Sequence, residues 1–239
     1  MARAGRAQPR ISACDDRHVG TAAMGSYWKR RLTRQGLLVA AAVAITAATY
    51  AMTPPPDFRH RLSLSTAYAA LMFLAASLAV GPWRVLRRQA NPVSYDFRRD
   101  LGIATGILAL LHTAIGLTVH LRGRMWMYFL RRLHPPALQN TTFGFANYTG
   151  GVAAILFLVL LAISNDLSLR RLGLQRWKSV QRWAYAAFAL TVAHGVAFQV
   201  VEKRHAPWVA FYWGVIGSAI LLQMTGFLLV RRAARGGTA

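Results

Sequence analysis

Long apolar stretches alternate with short basic clusters along most of the chain, and this alternation is the dominant pattern in the sequence. An α-helix needs about 20 mostly apolar residues to cross the hydrocarbon core of a bilayer. Six stretches meet or approach that length, at about 35–52, 62–80, 101–121, 148–163, 183–201 and 208–230. The pattern therefore predicts an all-α fold, an integral membrane bundle of six transmembrane helices.

The two ends of the chain lack such stretches. Residues 1–28 contain Arg, Gly, Ala and Asp without an apolar run, which argues against a secretory signal and predicts a disordered basic tail. Met24 is an alternative start, since the segment that follows it leads directly into the first span. We expect residues 29–232 to form the transmembrane domain and residues 233–239 to form a second short tail.

Lysine and arginine are concentrated in the connections that would face one side of the membrane. The loops after the second and fourth spans carry five each, whereas the loops on the other side carry two, four and two. Because cytoplasmic loops are enriched in Lys and Arg, both termini are predicted to be cytoplasmic. The same clustering accounts for the net charge of +22. We therefore expect the chain to contact membrane lipid and not nucleic acid. A protein that binds nucleic acid typically has its basic residues along one soluble face.

Two histidines lie deep inside predicted spans, where ionisable residues are rare and are candidates for function. His112 is 13 residues from Arg99, and His194 is 12 residues from Arg182. At the helical rise these counts correspond to roughly 20 and 18 Å from the cytoplasmic edge. Because the third and fifth spans run parallel, both imidazoles are expected at nearly the same depth, as two axial ligands of one heme iron would be. The alternative is that each histidine only hydrogen-bonds a neighbouring helix.

Several short segments occur in an order and spacing that are typical of one family. They are Ala79-Val80-Gly81-Pro82, Arg98-Arg99-Asp100-Leu101-Gly102, Leu172-Gly173-Leu174-Gln175-Arg176-Trp177, and Ala184-Tyr185 ahead of Ala193-His194. Over residues 62–230 the chain resembles the ferric-reductase-like transmembrane domain, and within that family the heme-binding membrane subunit of the bacterial methionine sulfoxide reductase system.

The resemblance implies a heme b held between the third and fifth helices, with His112 and His194 at ligand positions. It also implies a multi-pass protein of the bacterial inner membrane that passes electrons across the membrane. Because no flavin and nicotinamide domain is expected, the donor is expected to be a quinol, a flavin such as FMN or another protein. The implied acceptor is a periplasmic, molybdenum-containing methionine sulfoxide reductase. The chain departs from the family at Gln181, where a second histidine is usual, and the number of hemes therefore stays open.

Further residues are weaker candidates for cofactor binding. His120 and His205 are candidates for a second heme or a metal ion, although two interfacial histidines are the simpler interpretation. Arg122 and Arg124 would pair with heme propionates or only anchor a helix end. Residues 125–132 suit either a short helix in the membrane interface or a plain loop. The sequence assigns no role to His18, His60 or His134.

Some classes of function find no support in the sequence. Cys14 is the one cysteine, so the chain can form no internal disulfide framework. No dinucleotide fingerprint, nucleophile triad or P-loop occurs, and the few residues after 230 leave no room for a flavin and nicotinamide domain. We therefore expect an electron-transfer subunit of an oxidoreductase system. A ferric-type reductase with another acceptor, and a heme-free structural or transport protein, remain the alternatives.

Overall fold

The computed structural model describes residues 15–54, 57–87, 95–121, 124–133 and 135–236. These ranges contain α1 Asp15–Met52, α2 Phe58–Leu86, α3 Tyr95–Gly116, α4 Thr142–Ala162, α5 Asp166–Gln181, α6 Trp183–Val201 and α7 Ala206–Gly236. A short 3-10 helix, Met125–Tyr128, and two paired strands, β1 Leu130–Arg131 and β2 Ala137–Leu138, lie between α3 and α4. Apart from this small antiparallel ladder the described fold is all-α, as predicted.

Several helical stretches are long and apolar enough to cross a membrane. In the part of the chain that the structure describes there are five, namely Lys29–Met52, Phe58–Leu86, Thr142–Ala162, Asp166–Val201 and Ala206–Arg235. Helix α3 is not among them, because charged Arg99 and Asp100 occupy its beginning and it ends at Gly116, five residues short of the predicted bound. The chain is therefore a multi-pass membrane protein. A sixth span and the orientation of the termini stay predictions.

Two segments that were expected to be irregular are helical. Helix α1 begins at Asp15, so residues 15–28 of the predicted tail belong to a helix, whereas residues 1–14 lie outside the described residues. Extending an existing helix adds a hydrogen bond for each residue fixed, which favours this continuation. The basic connection before the fifth predicted span is helix α5. Its N-cap, Asn165, accepts a hydrogen bond from the Ser168 backbone N–H, and the helix kinks at Gly173. Helix α6 has the predicted bounds of the fifth span.

Proline does not end α2, although Gly81-Pro82-Trp83 predicts its end. The helix continues through Pro82 to Leu86. A proline lacks the N–H that would bond to the carbonyl four residues earlier, here that of Leu78. Gln223 on α7 takes this place, since its Nε2 donates to the Leu78 carbonyl oxygen at 2.7 Å. Helix α2 therefore keeps its backbone hydrogen bonding satisfied across the proline.

Tyr128 accounts for the early end of α3. Its hydroxyl donates to the carbonyl oxygen of Gly116 at 3.0 Å, and it accepts from the backbone N–H of His120 at 2.8 Å. The chain turns after Gly116, and Leu121 has a positive φ of 57°. The predicted third span, 101–121, therefore does not continue as an α-helix to His120. Residues 125–132 form one 3-10 turn and a strand rather than an interfacial helix.

The described chain consists of two compact units, of which the first ends at Ala41. The functional site described below lies entirely in the second, larger unit. Within that unit the most extensive helix contacts are α2 with α3, α4 with α6, α2 with α7, and α3 with α4. A buried cluster joins α2 to α7 and consists of Leu64, Tyr68, Leu71, Tyr212 and Ile216. The bundle thus contains two packed helix pairs, α2–α3 and α4–α6, that meet where α3 contacts α4.

Gly226 is a point where α7 lies tightly against α2, and we expect its replacement to destabilise the bundle. A Cβ at this position would lie 2.9 Å from the Pro82 Cβ and 3.0 Å from its Cα, where nothing flexible can move aside. Gly226→Ala should cost about 1–3 kcal/mol through overpacking, seen as a lower melting temperature in detergent. Gly214→Ala on the same helix is the matched control, because an added Cβ there meets no atom within 4 Å. Equal melting temperatures for the two variants would contradict the prediction.

Candidate functional site

His112 lies on α3 and is fixed by a hydrogen bond to α2. Its Nδ1–H donates to the backbone carbonyl oxygen of Ser63 at 2.9 Å, and the Ser63 hydroxyl lies 3.4 Å from the same nitrogen. A carbonyl oxygen can only accept, so the proton of the neutral imidazole is on Nδ1. The Nε2 atom of His112 is left with its lone pair.

His194 is fixed in the same way within the other helix pair. It lies on α6, and its Nδ1–H donates to the carbonyl oxygen of Ala146 on α4 at 2.8 Å. The absence of a side chain at Gly150 makes room for this ring, since a Cβ there would overlap the imidazole. A histidine that binds a metal through one nitrogen almost always donates its other N–H to such a carbonyl or carboxylate. Both imidazoles therefore have the tautomer of a metal ligand.

The two imidazoles lie close together and line the same cavity. Their ring centroids are 6.0 Å apart, with an angle of 72° between the ring planes. Metal–imidazole bonds of about 2 Å each would put the two coordinating nitrogens about 4 Å apart and the ring centres somewhat further. The observed separation of the centroids is therefore compatible with one metal held between the two rings.

The cavity around the two histidines has ends of different chemistry. Its polar end is lined by His60, His120, Gln199, Glu202 and Arg204. Its apolar end is lined by Leu71, Leu74, Ala153 and Phe157. The cavity can therefore accept a flat, mostly apolar molecule with polar groups on one edge.

Glu202 organises the polar end. Its Oε1 accepts from His120 Nε2 at 2.9 Å, its Oε2 accepts from His60 Nε2 at 3.2 Å, and Arg204 lies 3.9 Å from Oε2. Burial alone would raise the pKa of the Glu202 carboxyl. The hydrogen bonds from His120 and His60, together with the charges of His60 and Arg204, outweigh burial and hold this pKa well below its usual range. Glu202 is therefore an ionised carboxylate with both oxygens engaged.

The other predicted cofactor-binding residues do not form one group. His205 is exposed at the start of α7, where its carbonyl oxygen accepts the first helical N–H groups. Arg124 is exposed at the start of the 3-10 helix and does not line the cavity, and Arg122 lies outside the described residues. Gln181 ends α5, and its amide donates to the Ser164 hydroxyl at 3.4 Å.

The structure adds residues that the sequence interpretation passed over. His60 was assigned no role, yet its ring lies 5.9 Å from that of His120 between centroids. Glu202 is the one glutamate in the chain and directly follows a predicted span. This position at the end of an apolar segment could have identified it as a candidate functional residue. Gly150 carried no signal, because its importance depends on a histidine 44 residues further along the chain.

The histidine pair needs further ligands if it is to hold a metal. No group of three or more His, Cys, Asp or Glu side chains with metal-binding geometry occurs among the described residues. Structural and catalytic metal ions in proteins usually have at least three protein ligands. Two opposed imidazoles are instead suited to a metal whose remaining ligands come from a planar cofactor.

Comparison with known proteins gives a consistent result. Residues 63–192, from Ser63 to a position just before His194, match the family described as ferric reductase like transmembrane component. Among similar proteins, each named protein-methionine-sulfoxide reductase heme-binding subunit MsrQ, that of Rhodospirillum rubrum is 29% identical over 69% of this chain and 73% of its own length. The protein of Xanthomonas oryzae pv. oryzae is 33% identical over 71% of this chain and 68% of its own length.

The Deinococcus radiodurans protein of the same name is 31% identical over 71% of this chain and 74% of its own length. No solved structure matches the chain significantly. The family match includes α2, α3, α4 and α5 and extends into α6, and it therefore contains most of the helices that position the two histidines. The chain belongs to the ferric-reductase-like transmembrane family.

Proposed function

We propose that the chain is a membrane electron-transfer protein that holds a heme b between His112 and His194. The observation that carries this proposal is the pair of imidazoles, 6.0 Å apart between centroids, each with Nδ1–H bonded to a backbone carbonyl. The similar proteins named as heme-binding subunits support it. A bare metal ion fits less well, since a heme supplies four equatorial nitrogens and needs only two ligands from the protein.

The residues around the pair have definable tasks in such a protein. Ser63 and Ala146 orient the imidazoles through their carbonyl oxygens, and such contacts also raise the basicity of the ligating nitrogen. The apolar wall formed by residues such as Leu71, Leu74 and Phe157 excludes water from the ring faces. When bound, a heme would supply a one-electron redox couple whose potential depends on its axial ligands and on the polarity around it.

The same proposal extends to location and redox partners. We place the protein in the bacterial inner membrane with both termini in the cytoplasm, because the basic connections lie on one side of the predicted spans. Its donor is a quinol or a membrane-bound flavin, and its acceptor is a periplasmic, molybdenum-containing methionine sulfoxide reductase. The names of the relatives support the acceptor. Co-purification of such a reductase with the tagged chain tests the partner. If a different redox protein co-purifies instead, that protein is the acceptor.

His112→Ala and His194→Ala should each abolish the spectrum of a heme with two histidine ligands. Removing one imidazole leaves the iron with an open axial position, which shifts or removes the Soret band of the purified protein. His205→Ala is the matched control and should keep the wild-type spectrum, because this side chain is exposed and does not line the cavity. A wild-type protein without a Soret band, after expression with ample heme, would refute the proposed function.

Gly150→Ala should weaken heme binding without changing a ligand. The added Cβ would overlap the His194 ring, which must then rotate away from its bond to Ala146. We expect a loss of about tenfold or more in heme affinity, comparable to the loss of an orienting partner. Gly151→Ala provides a neighbouring control, since its Cβ would meet Phe129 at an ordinary 3.5 Å. The two variants are compared by titrating heme into the heme-free protein, and indistinguishable affinities would count against this role of Gly150.

The polar end of the cavity bears on the number of hemes. His120 Nε2 is engaged by Glu202, and His205 is exposed, so the structure offers a second heme little support at these residues. We expect one heme per chain by pyridine hemochrome assay together with a protein determination. A ratio near two would instead favour a second site at His120 and His205.

A further inference from the structure

The polar end of the cavity contains a buried hydrogen-bond donor that has no acceptor. Gln199 lies on α6 five residues beyond His194, about 7.5 Å along the helix axis. Its Nε2 is buried and has no hydrogen-bond partner among the described residues, although its side chain lines the cavity. Buried amide donors are rarely left unpaired in proteins, because desolvation without a hydrogen bond is unfavourable. An oxygen of a bound molecule at this end would satisfy the Gln199 amide.

Arg204 offers a second donor at the same end. Its side chain is only 17% exposed, and its nearest carboxylate oxygen, Oε2 of Glu202, is 3.9 Å away, too far for a hydrogen bond. The guanidinium donates no hydrogen bond to any residue that the structure describes. A guanidinium has paired N–H groups that match the two oxygens of a carboxylate. Arg204 thus faces the Glu202 carboxylate without a hydrogen bond to it, and its paired N–H groups are positioned to bind a further carboxylate.

Glu202 does not compete for these donors, because both of its oxygens already accept from the imidazoles of His120 and His60. The hydrogen-bonding capacity of both carboxylate oxygens is therefore already in use before any ligand binds. The opposite end of the cavity offers only hydrocarbon from residues such as Leu71, Leu74 and Phe157. A carboxylate placed there would be desolvated without a partner, which is strongly unfavourable.

We propose that Gln199 and Arg204 form a carboxylate-binding subsite that receives the propionate groups of the heme at the polar end of the cavity. This inference rests on the proposed heme function. It assigns an orientation to the cofactor, since the propionates lie on one edge of the macrocycle and the opposite edge is hydrocarbon. It also assigns the propionates to Arg204 instead of Arg124, which does not line the cavity, while Arg122 lies outside the described residues.

The test compares iron protoporphyrin IX with its dimethyl ester, in which both carboxylates are blocked. Each is titrated into the heme-free full-length protein in detergent, and binding is followed by the absorption spectrum. The wild-type protein should bind the free acid more tightly than the diester by about tenfold or more, as expected for hydrogen bonds to a charged group. Gln199→Leu and Arg204→Met should each reduce the ratio of the affinity for the free acid to that for the diester. The double variant should bring this ratio to about twofold or less. Arg204→Lys, which keeps the positive charge, should retain more of the preference than Arg204→Met.

Two control variants separate this subsite from general effects on stability. Gln223→Leu removes an amide that bonds to Leu78, and Arg59→Met removes an exposed arginine, and neither residue lines the cavity. Both should keep the wild-type ratio between acid and ester. Equal wild-type affinities for acid and ester would overturn the subsite, while a spectrum that depends on His112 and His194 would leave the proposed function intact. If neither porphyrin gives such a spectrum, the proposed function fails and the subsite fails with it.

Discussion

The site depends on two hydrogen bonds from imidazole to backbone, one from His112 to Ser63 and one from His194 to Ala146. Each fixes a tautomer, because a carbonyl oxygen can only accept a hydrogen bond and the imidazole nitrogen facing it must carry the proton. Each also lies inside one helix pair, the first within α2–α3 and the second within α4–α6. The position of each ring is therefore determined by helix packing rather than by a flexible loop, and the ring separation follows from how the two pairs meet.

The surrounding bundle obeys the requirement that polar backbone groups inside a membrane find partners within the protein. The Leu78 carbonyl, which Pro82 cannot bond, accepts from Gln223, and the Gly116 carbonyl at the end of α3 accepts from Tyr128. At Leu78 a side chain from another helix replaces a missing backbone donor, and at Gly116 a side chain adds to the bond from the Val119 backbone N–H. At the polar end of the cavity, both oxygens of the half-buried Glu202 carboxylate likewise accept from imidazoles, and Arg204 lies 3.9 Å from one of them.

Hydropathy and residue counting predicted the parts of this structure that depend on one helix at a time. The bounds of α6 follow from apolar length, and the expectation that His112 and His194 lie close together follows from constant helical rise. The apolar length wrongly extended the third span as far as His120. Helix α3 ends earlier, at Gly116, whose carbonyl accepts a hydrogen bond from Tyr128, a residue outside that helix. The roles of His60 and Gly150 depend on partners about 60 and 44 residues away, and local sequence carries no record of such contacts.

The arrangement of two helix pairs explains how distant packing can control the distance between the His112 and His194 imidazoles. The pairs meet where α3 contacts α4, and there Gly106 faces Leu161, whose Cβ would lie 3.4 Å from a Cβ added at the glycine. A larger side chain at that contact would push the pairs apart and move one imidazole relative to the other. Packed interiors transmit such displacements because they have little free volume. The spacing of the two imidazoles is therefore a property of the α3–α4 contact as much as of the histidines themselves.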